Sequence, residues 1–313
     1  MPSSPLGPSA SDRGERPRRA PYAVVTPARD EADNLSRLAG CVVAQTHLPV
    51  VWVIVENGST DETLAVARRL SADHPWIEVI STRGEQVLTR GRPISRAVHA
   101  GLLALGAFSP ELVVITDADV SMEPGYFDTL VAAFEREPSL GMASGTRHEW
   151  SGGSWRQRHI TGTSVEAQCR AYRWQCLQDV LPLVDRLGWA GIDEIKANVL
   201  GWQTRVLYDL PFRHHRPMGM RESTHLRAWL MEGDAAWYMG YRPYYLILRS
   251  LFHSRRDLRA VAMIFAYVLA ALIGKPRHDE PKVRAYVRRQ QRLRNLPDRI
   301  VEAIGKRRAS SLV

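Results

Sequence analysis

Three apolar runs that each end at acidic residues constrain this chain more than any other feature. Val24-Val25-Thr26-Pro27 leads into Asp30-Glu31, Val53-Ile54-Val55 into Glu56 and then Asp61, and Val113-Val114-Ile115-Thr116 into Asp117 and Asp119. Unbroken β-branched residues suit strands buried on both faces, the kind found in parallel sheets. The carboxylates that follow then gather along one edge of the sheet, where open α/β folds bind ligands.

Between the runs lie helical patterns. Asp33 or Asn34 is placed to cap a helix carrying Leu35, Leu38 and Val42, and Ser59 or Thr60 to cap one through Leu64, Ala67 and Leu70. Residues 77–80 and 112–116 read as further strands, and 94–105 and 126–134 as helices. Alternation of this length predicts an α/β fold with βαβ units and a mainly parallel sheet flanked by helices. Residues 141–158, rich in glycine, read as a strand followed by a mobile loop able to act as a lid. The stretch 165–187 reads as helix.

With 313 residues, 45% of them hydrophobic, the chain can bury a sizeable core, which excludes disorder of the whole. Residues 1–20, rich in Pro, Ser, Gly and Arg, read as a disordered basic lead-in rather than a secretory signal. Residues 21–253 form the expected main domain, and 254–313 a helical C-terminal extension. The net charge of +9 suits a polyanionic partner, but lysine occurs only at Lys196, Lys275, Lys282 and Lys306, so compositional bias toward arginine weakens the charge as evidence of function. No helix-turn-helix or RNA-binding signature accompanies it, so no nucleic-acid partner is expected. The three cysteines, Cys41, Cys169 and Cys176, form no CxxC pair, which argues against a structural zinc site or a disulfide framework and for a reducing, cytoplasmic setting.

One segment approaches membrane character. Residues 258–273, LRAVAMIFAYVLAALI, fall short of the ~20 apolar residues a spanning helix needs. The segment reads as an interfacial or re-entrant helix, which with the basic helix at 283–294 would attach the protein peripherally to the anionic inner face of the cell membrane, or as a buried core helix.

Asp117-Ala118-Asp119 carries the clearest chemistry. Residues two apart on a strand point to the same side, so both carboxylates can face one hard cation where the strand ends. A divalent ion so held can bridge to the oxygens of a nucleoside diphosphate.

VVTPARDEADNL, VWVIVENGSTDETLAVAR and LVVITDADVSMEPGYFDTLV resemble the successive signatures of the family 2 inverting glycosyltransferases, which have the GT-A fold. The resemblance covers roughly residues 22–253 and is strongest before Pro138. It implies a nucleotide-sugar donor, Mn2+ or Mg2+ as cofactor, and a glycan or lipid-linked acceptor. Residue by residue, it implies that Pro27 and Glu31 form the first nucleotide-binding turn and that Glu56, where the family usually has aspartate, meets the base. Asp117 and Asp119 then serve the diphosphate and metal, and Arg92 or Arg96 reaches the donor. His253 matches a histidine that some relatives place near the metal. Asp61 reads better as a helix cap, Trp189 as a core residue, and His214 and His215 as a surface turn.

The acceptor side is less regular. The family's acidic pair at a helix start, which deprotonates the acceptor hydroxyl, corresponds to Glu222-Ser223, so Glu222 is the catalytic candidate. With the second acid missing, Asp193 or Glu194 is the alternative base. Two other function classes fit less well. A nucleotidyltransferase of related fold opens with a Gly-rich basic loop that Pro27-Ala28-Arg29-Asp30-Glu31 does not resemble, and a non-catalytic nucleotide-sugar or nucleic-acid binding protein leaves the acidic strand ends unexplained.

Overall fold

The computed structural model describes residues 19–82, 92–108, 110–158, 164–186, 188–216 and 225–303. Its centre is a nine-stranded sheet in the order β3-β2-β1-β4-β8-β6-β9-β5, formed by β1 (Tyr22–Ala28), β2 (Val51–Glu56), β3 (Ile77–Ser81), β4 (Leu112–Thr116), β5 (Val120–Met122), β6 (Leu140–Ser151), β7 (Ser154–Gln157), β8 (Cys169–Arg173) and β9 (Gln203–His214), with β7 paired to β6 outside that path. The first four strands in that order run parallel, as the apolar runs predict. Alternate residues feed two cores. Tyr22, Val24, Trp52, Ile54 and Val114 face one way, against α1 (Ala32–Val43), α2 (Thr63–Asp73) and α4 (Tyr126–Arg136). Val25, Val53, Val55, Val113 and Ile115 face the other, against α3 (Arg92–Ala104), α5 (Trp174–Val180) and α6 (Trp189–Val199).

Helix α3 comes very close to the sheet at Gly101, where an added Cβ would stand 2.5 Å from Val25 Cγ1 and 2.9 Å from Val55 Cγ2. A larger residue would push the helix off the two strands that lead into the first acidic ends.

The second half departs from the sequence reading in two places. Residues 169–173, expected to be helical, form β8, antiparallel to both β4 and β6. Cys-Arg-Ala-Tyr-Arg has no β-branched residue to announce a strand, so its state is decided by two long-range ladders rather than by local preference. The expected loop after β6 is instead a hairpin into β7, turned by Gly152 and Gly153 at φ +60° and +81°. Paired positive φ values match the right-handed twist of the flanking strands, which two glycines supply without steric cost.

Caps also differ: α1 begins after Glu31 and α2 after Glu62, neither with a side-chain cap from the residue just before the helix. Cys169 and Cys176 are buried and Cys41 partly so, as small hydrophobes would be.

Helices α7 (His225–Tyr238), α8 (Pro243–Ser254) and α9 (Ala262–Leu272) share a small core of Ala236, Leu246, Ala260, Met263 and Tyr267. The helical region therefore draws on residues before 254. Helix α10 (Pro281–Gln290) lays Val283 and Val287 on Ile192 and Met239. Among the described residues, no helix is long and apolar enough to cross a membrane.

Candidate active site at the carboxyl edge of the sheet

Parallel register brings the acidic ends together. Glu56 stands beside Ala28, and Val25 beside Ile115, which puts Asp117 level with Pro27 along one edge. Pairing of β1 with β4 ends at Val25, so Pro27, with no N–H to offer, follows the last ladder position on that side.

The two turns beyond β1 and β2 are laced together. Asp30, at φ +53° the one positive-φ non-glycine among the described residues, accepts the Thr60 N–H at 2.7 Å, and its own N–H donates to Ser59 Oγ at 3.1 Å. Asp61 accepts the N–H of Thr63 at 2.9 Å and of Ala32 at 3.2 Å, so it satisfies the open ends of both α2 and α1. These bonds to the charged form hold its pKa down although burial opposes them. One oxygen of the buried Glu56 carboxylate accepts the Ser59 N–H at 2.5 Å, which fixes its rotamer. Glu31 is also buried, and Arg216 and Asn34 both donate to it, so it shapes the turn rather than standing open.

The end of β4 gathers a set of side chains able to hold a metal ion. Among the described residues, Asp117, Asp119 and His214 bring one ligand atom each to within 4.8 Å of the others. His214 Nε2 lies 3.5 Å from Asp119 Oδ1, and Arg216 Nε 3.9 Å from Asp119 Oδ2. Although Asp117 is partly exposed as a residue, dense protein around its carboxyl and the neighbouring Asp119 push it up to about 7. Burial works against a charged His214, yet Asp119 and Asp117 outweigh that and raise its pKa. Two crowded carboxylates and an imidazole, with oxygen and nitrogen donors converging, fit a divalent cation, whose charge would relieve their repulsion.

Behind this set lies an ionic layer. Glu149 sits 3.5 Å from His214 Nδ1, and Arg147 bridges Glu149 at 3.4 Å and Glu166 at 3.3 Å. Farther in, Arg170 and Asp193, each 2% exposed, pair at 3.1 Å, and the Tyr172 hydroxyl donates to Asp193 at 2.5 Å. Glu194 accepts from the Val165 N–H at 3.2 Å and the Ser164 hydroxyl at 3.3 Å.

The sequence reading is corrected at the histidines. His214, expected in a surface turn, closes β9 opposite Val120 and is buried against Asp119. His253, expected near the metal, lies on α8 with its ring 5.2 Å from that of Trp229. The sign missed was Phe-Arg-His-His-Arg at the end of a strand, legible only once that strand is known to lie beside β5. Arg96 is engaged with Asp185 at 2.8 Å. Trp189 is buried in the core, as expected. Arg92 opens α3, but its side chain lies outside the described residues, as does Glu222 altogether.

Residues 23–191, more than half of the chain, match the family model for glycosyl transferase family 2. No curated protein matches in sequence. Among solved structures, the chain is similar to the mannosyltransferase PcManGT from Pyrobaculum calidifontis in complex with GDP-Man and Mn2+, at 17% identity and TM-score 0.54, covering 92% of this chain and 85% of that one. It is similar to S. aureus TarS 1-349 in complex with UDP-GlcNAc, at 15% identity and TM-score 0.52, covering 90% and 81%. GalNAc-T7 with UDP, GalNAc and Mn2+ matches at 11% identity and TM-score 0.57, covering 84% of this chain and 56% of that one. At these identities the likeness is one of fold.

Proposed function

The chain belongs to glycosyl transferase family 2 and is a glycosyltransferase, and on that premise we propose that it moves a sugar, with inversion, from a nucleoside-diphosphate donor to the hydroxyl of a glycan or lipid-linked acceptor on the cytoplasmic side of the membrane. The observation that carries this reading is the convergence of Asp117, Asp119 and His214 on the sheet edge that also bears Pro27 and Glu56.

In this reading, Pro27 and Glu56 border the nucleoside, with the Ser59 N–H aiming the Glu56 carboxylate so that it can accept from the base. Arg92 at the start of α3 pairs with phosphate oxygens through its planar fork. Asp117, Asp119 and His214 hold Mn2+ or Mg2+, which supplies positive charge against the leaving diphosphate. Glu31, gripped by Arg216, keeps the first turn in shape for the donor.

Glu222 takes the proton of the acceptor hydroxyl while that oxygen attacks the anomeric carbon from the face opposite the diphosphate. The new carbon–oxygen bond forms as the bond to phosphate breaks, and the configuration inverts. One observation supports Glu222 over its rivals. Asp193 is spent on Arg170 and Tyr172, and Glu194 on Val165 and Ser164.

Thermal unfolding with Mn2+ and a panel of nucleotide-sugars tests the reading. A matching donor raises the melting temperature of the wild type only when Mn2+ is present, and Asp119→Asn abolishes that rise while keeping its own transition. Transfer by Asp119→Asn falls about 100-fold or more. Undiminished turnover in that variant would sink the proposal.

A further inference from the structure

Exposed apolar surface is concentrated in one region of the molecule. Among the described residues, 19 large hydrophobic side chains are exposed, and 10 of them fall within residues 247–273. Helix α9 and the turn before it show the pattern most clearly. Met263, Tyr267 and Ala270 face inward, while Leu258, Phe265 and Leu272 are 80%, 64% and 79% exposed, with Val261, Val268 and Leu269 between them on the outward side. The inward side is fixed, since Gly233 of α7 comes so near the Met263 carbonyl that a Cβ has no room. The apolar stripe is therefore held outward by packing.

No charged residue interrupts the sequence from Ala260 to Gly274. Cations stand at both ends: Arg255, Arg256 and Arg259 are exposed before it, and Lys275 after it. Asp257 pairs with Arg259 and Asp234 with Lys275, which leaves the arginine pair as the main source of local charge. An apolar stripe ended by long basic side chains suits the plane between lipid headgroups and acyl chains, where the stripe sinks in and arginines reach up to phosphates.

We infer that α9 with its preceding turn is a membrane-docking face, lying flat in the surface of an anionic bilayer. At 11 residues, α9 is about 16 Å long, too short to span the hydrocarbon core but long enough to lie in its surface. Charge selects this occupant over a second copy of the chain. Two copies stacked on this face would bring the same cations together, each on a molecule of net charge +9, whereas anionic headgroups neutralise them. The inference goes beyond the transferase reading and does not rest on it.

Flotation of the full-length protein with vesicles of phosphatidylcholine alone, and of phosphatidylcholine and phosphatidylglycerol in equal parts, tests it. The wild type co-floats with the anionic vesicles and much less with the neutral ones. Arg255→Gln and Arg256→Gln each weaken binding about fivefold. Phe265→Glu combined with Leu269→Glu removes co-flotation while leaving the thermal transition and nucleotide-dependent stabilisation unchanged, because both side chains point away from the protein core. Wild-type protein that stays in solution, or a double-glutamate variant that co-floats as well as the wild type, overturns the inference. So does a wild-type dimer that the double variant converts to monomer with vesicle binding unaffected, which would assign the face to self-association.

Discussion

Arg216 grips Glu31 with both arms of its guanidinium, Nη1 to Oε1 at 2.8 Å and Nη2 to Oε2 at 2.6 Å, across 185 positions of sequence. The pair ties the end of β9 to the turn after β1. It thereby connects the strand that delivers His214 with the turn that starts the candidate nucleotide site.

Loss of that grip destabilises the protein. Arg216→Ala leaves the buried Glu31 with one fewer charged partner and costs about 2 kcal/mol, in the range for hydrogen bonds to charged groups. Urea denaturation measures it. Arg216→Lys recovers only part, because an ammonium cannot match two carboxylate oxygens in one plane. Full stability in Arg216→Ala would show that the pair is incidental.

The competing bases separate by phenotype. Glu222→Gln lowers kcat by about 100-fold or more while donor-induced stabilisation persists, as expected for loss of a general base. Asp193→Asn acts on the fold instead. It leaves Arg170 buried without its carboxylate and costs about 3–5 kcal/mol. A stable, inactive Asp193→Asn beside a fully active Glu222→Gln would reverse the assignment.

Stability depends on pH through Glu194. Burial, with Asp193 adding to it and Arg170 opposing, pushes this carboxyl from 4.5 up to about 7. Between those values the folded state binds more protons than the unfolded one, so stability falls as pH rises through the window and levels off above it. Denaturation between about pH 5 and pH 8 should show a steeper decline for the wild type than for Glu194→Gln. Equal slopes would refute the shift.

The first half of the fold was legible in sequence because local and long-range signals agree there. In β1, β2 and β4, apolar runs are buried on both faces, and the acidic residues after them fall on the sheet edge because parallel register leaves them nowhere else. The second half was not. Strand β8 owes its existence to β4 and β6, with no β-branched residue in Cys-Arg-Ala-Tyr-Arg to announce it. For the same reason His214 escaped notice, since its partner Asp119 is 95 positions away and the two meet only after β9 runs antiparallel to β5. His253 lies on α8 beside Trp229 rather than in the group of Asp117, Asp119 and His214, as a lone histidine carries no sign of where the fold will take it.

Strand β4 has a ladder on both sides, β1 on one and β8 on the other, with its chain fully buried between them. The backbone leading to the two aspartates is therefore settled when the protein folds. Much of the entropy of assembling the candidate ligand set is lost at that stage, so a cation bound there need not bear it, and the surrounding loops can vary without disturbing that place.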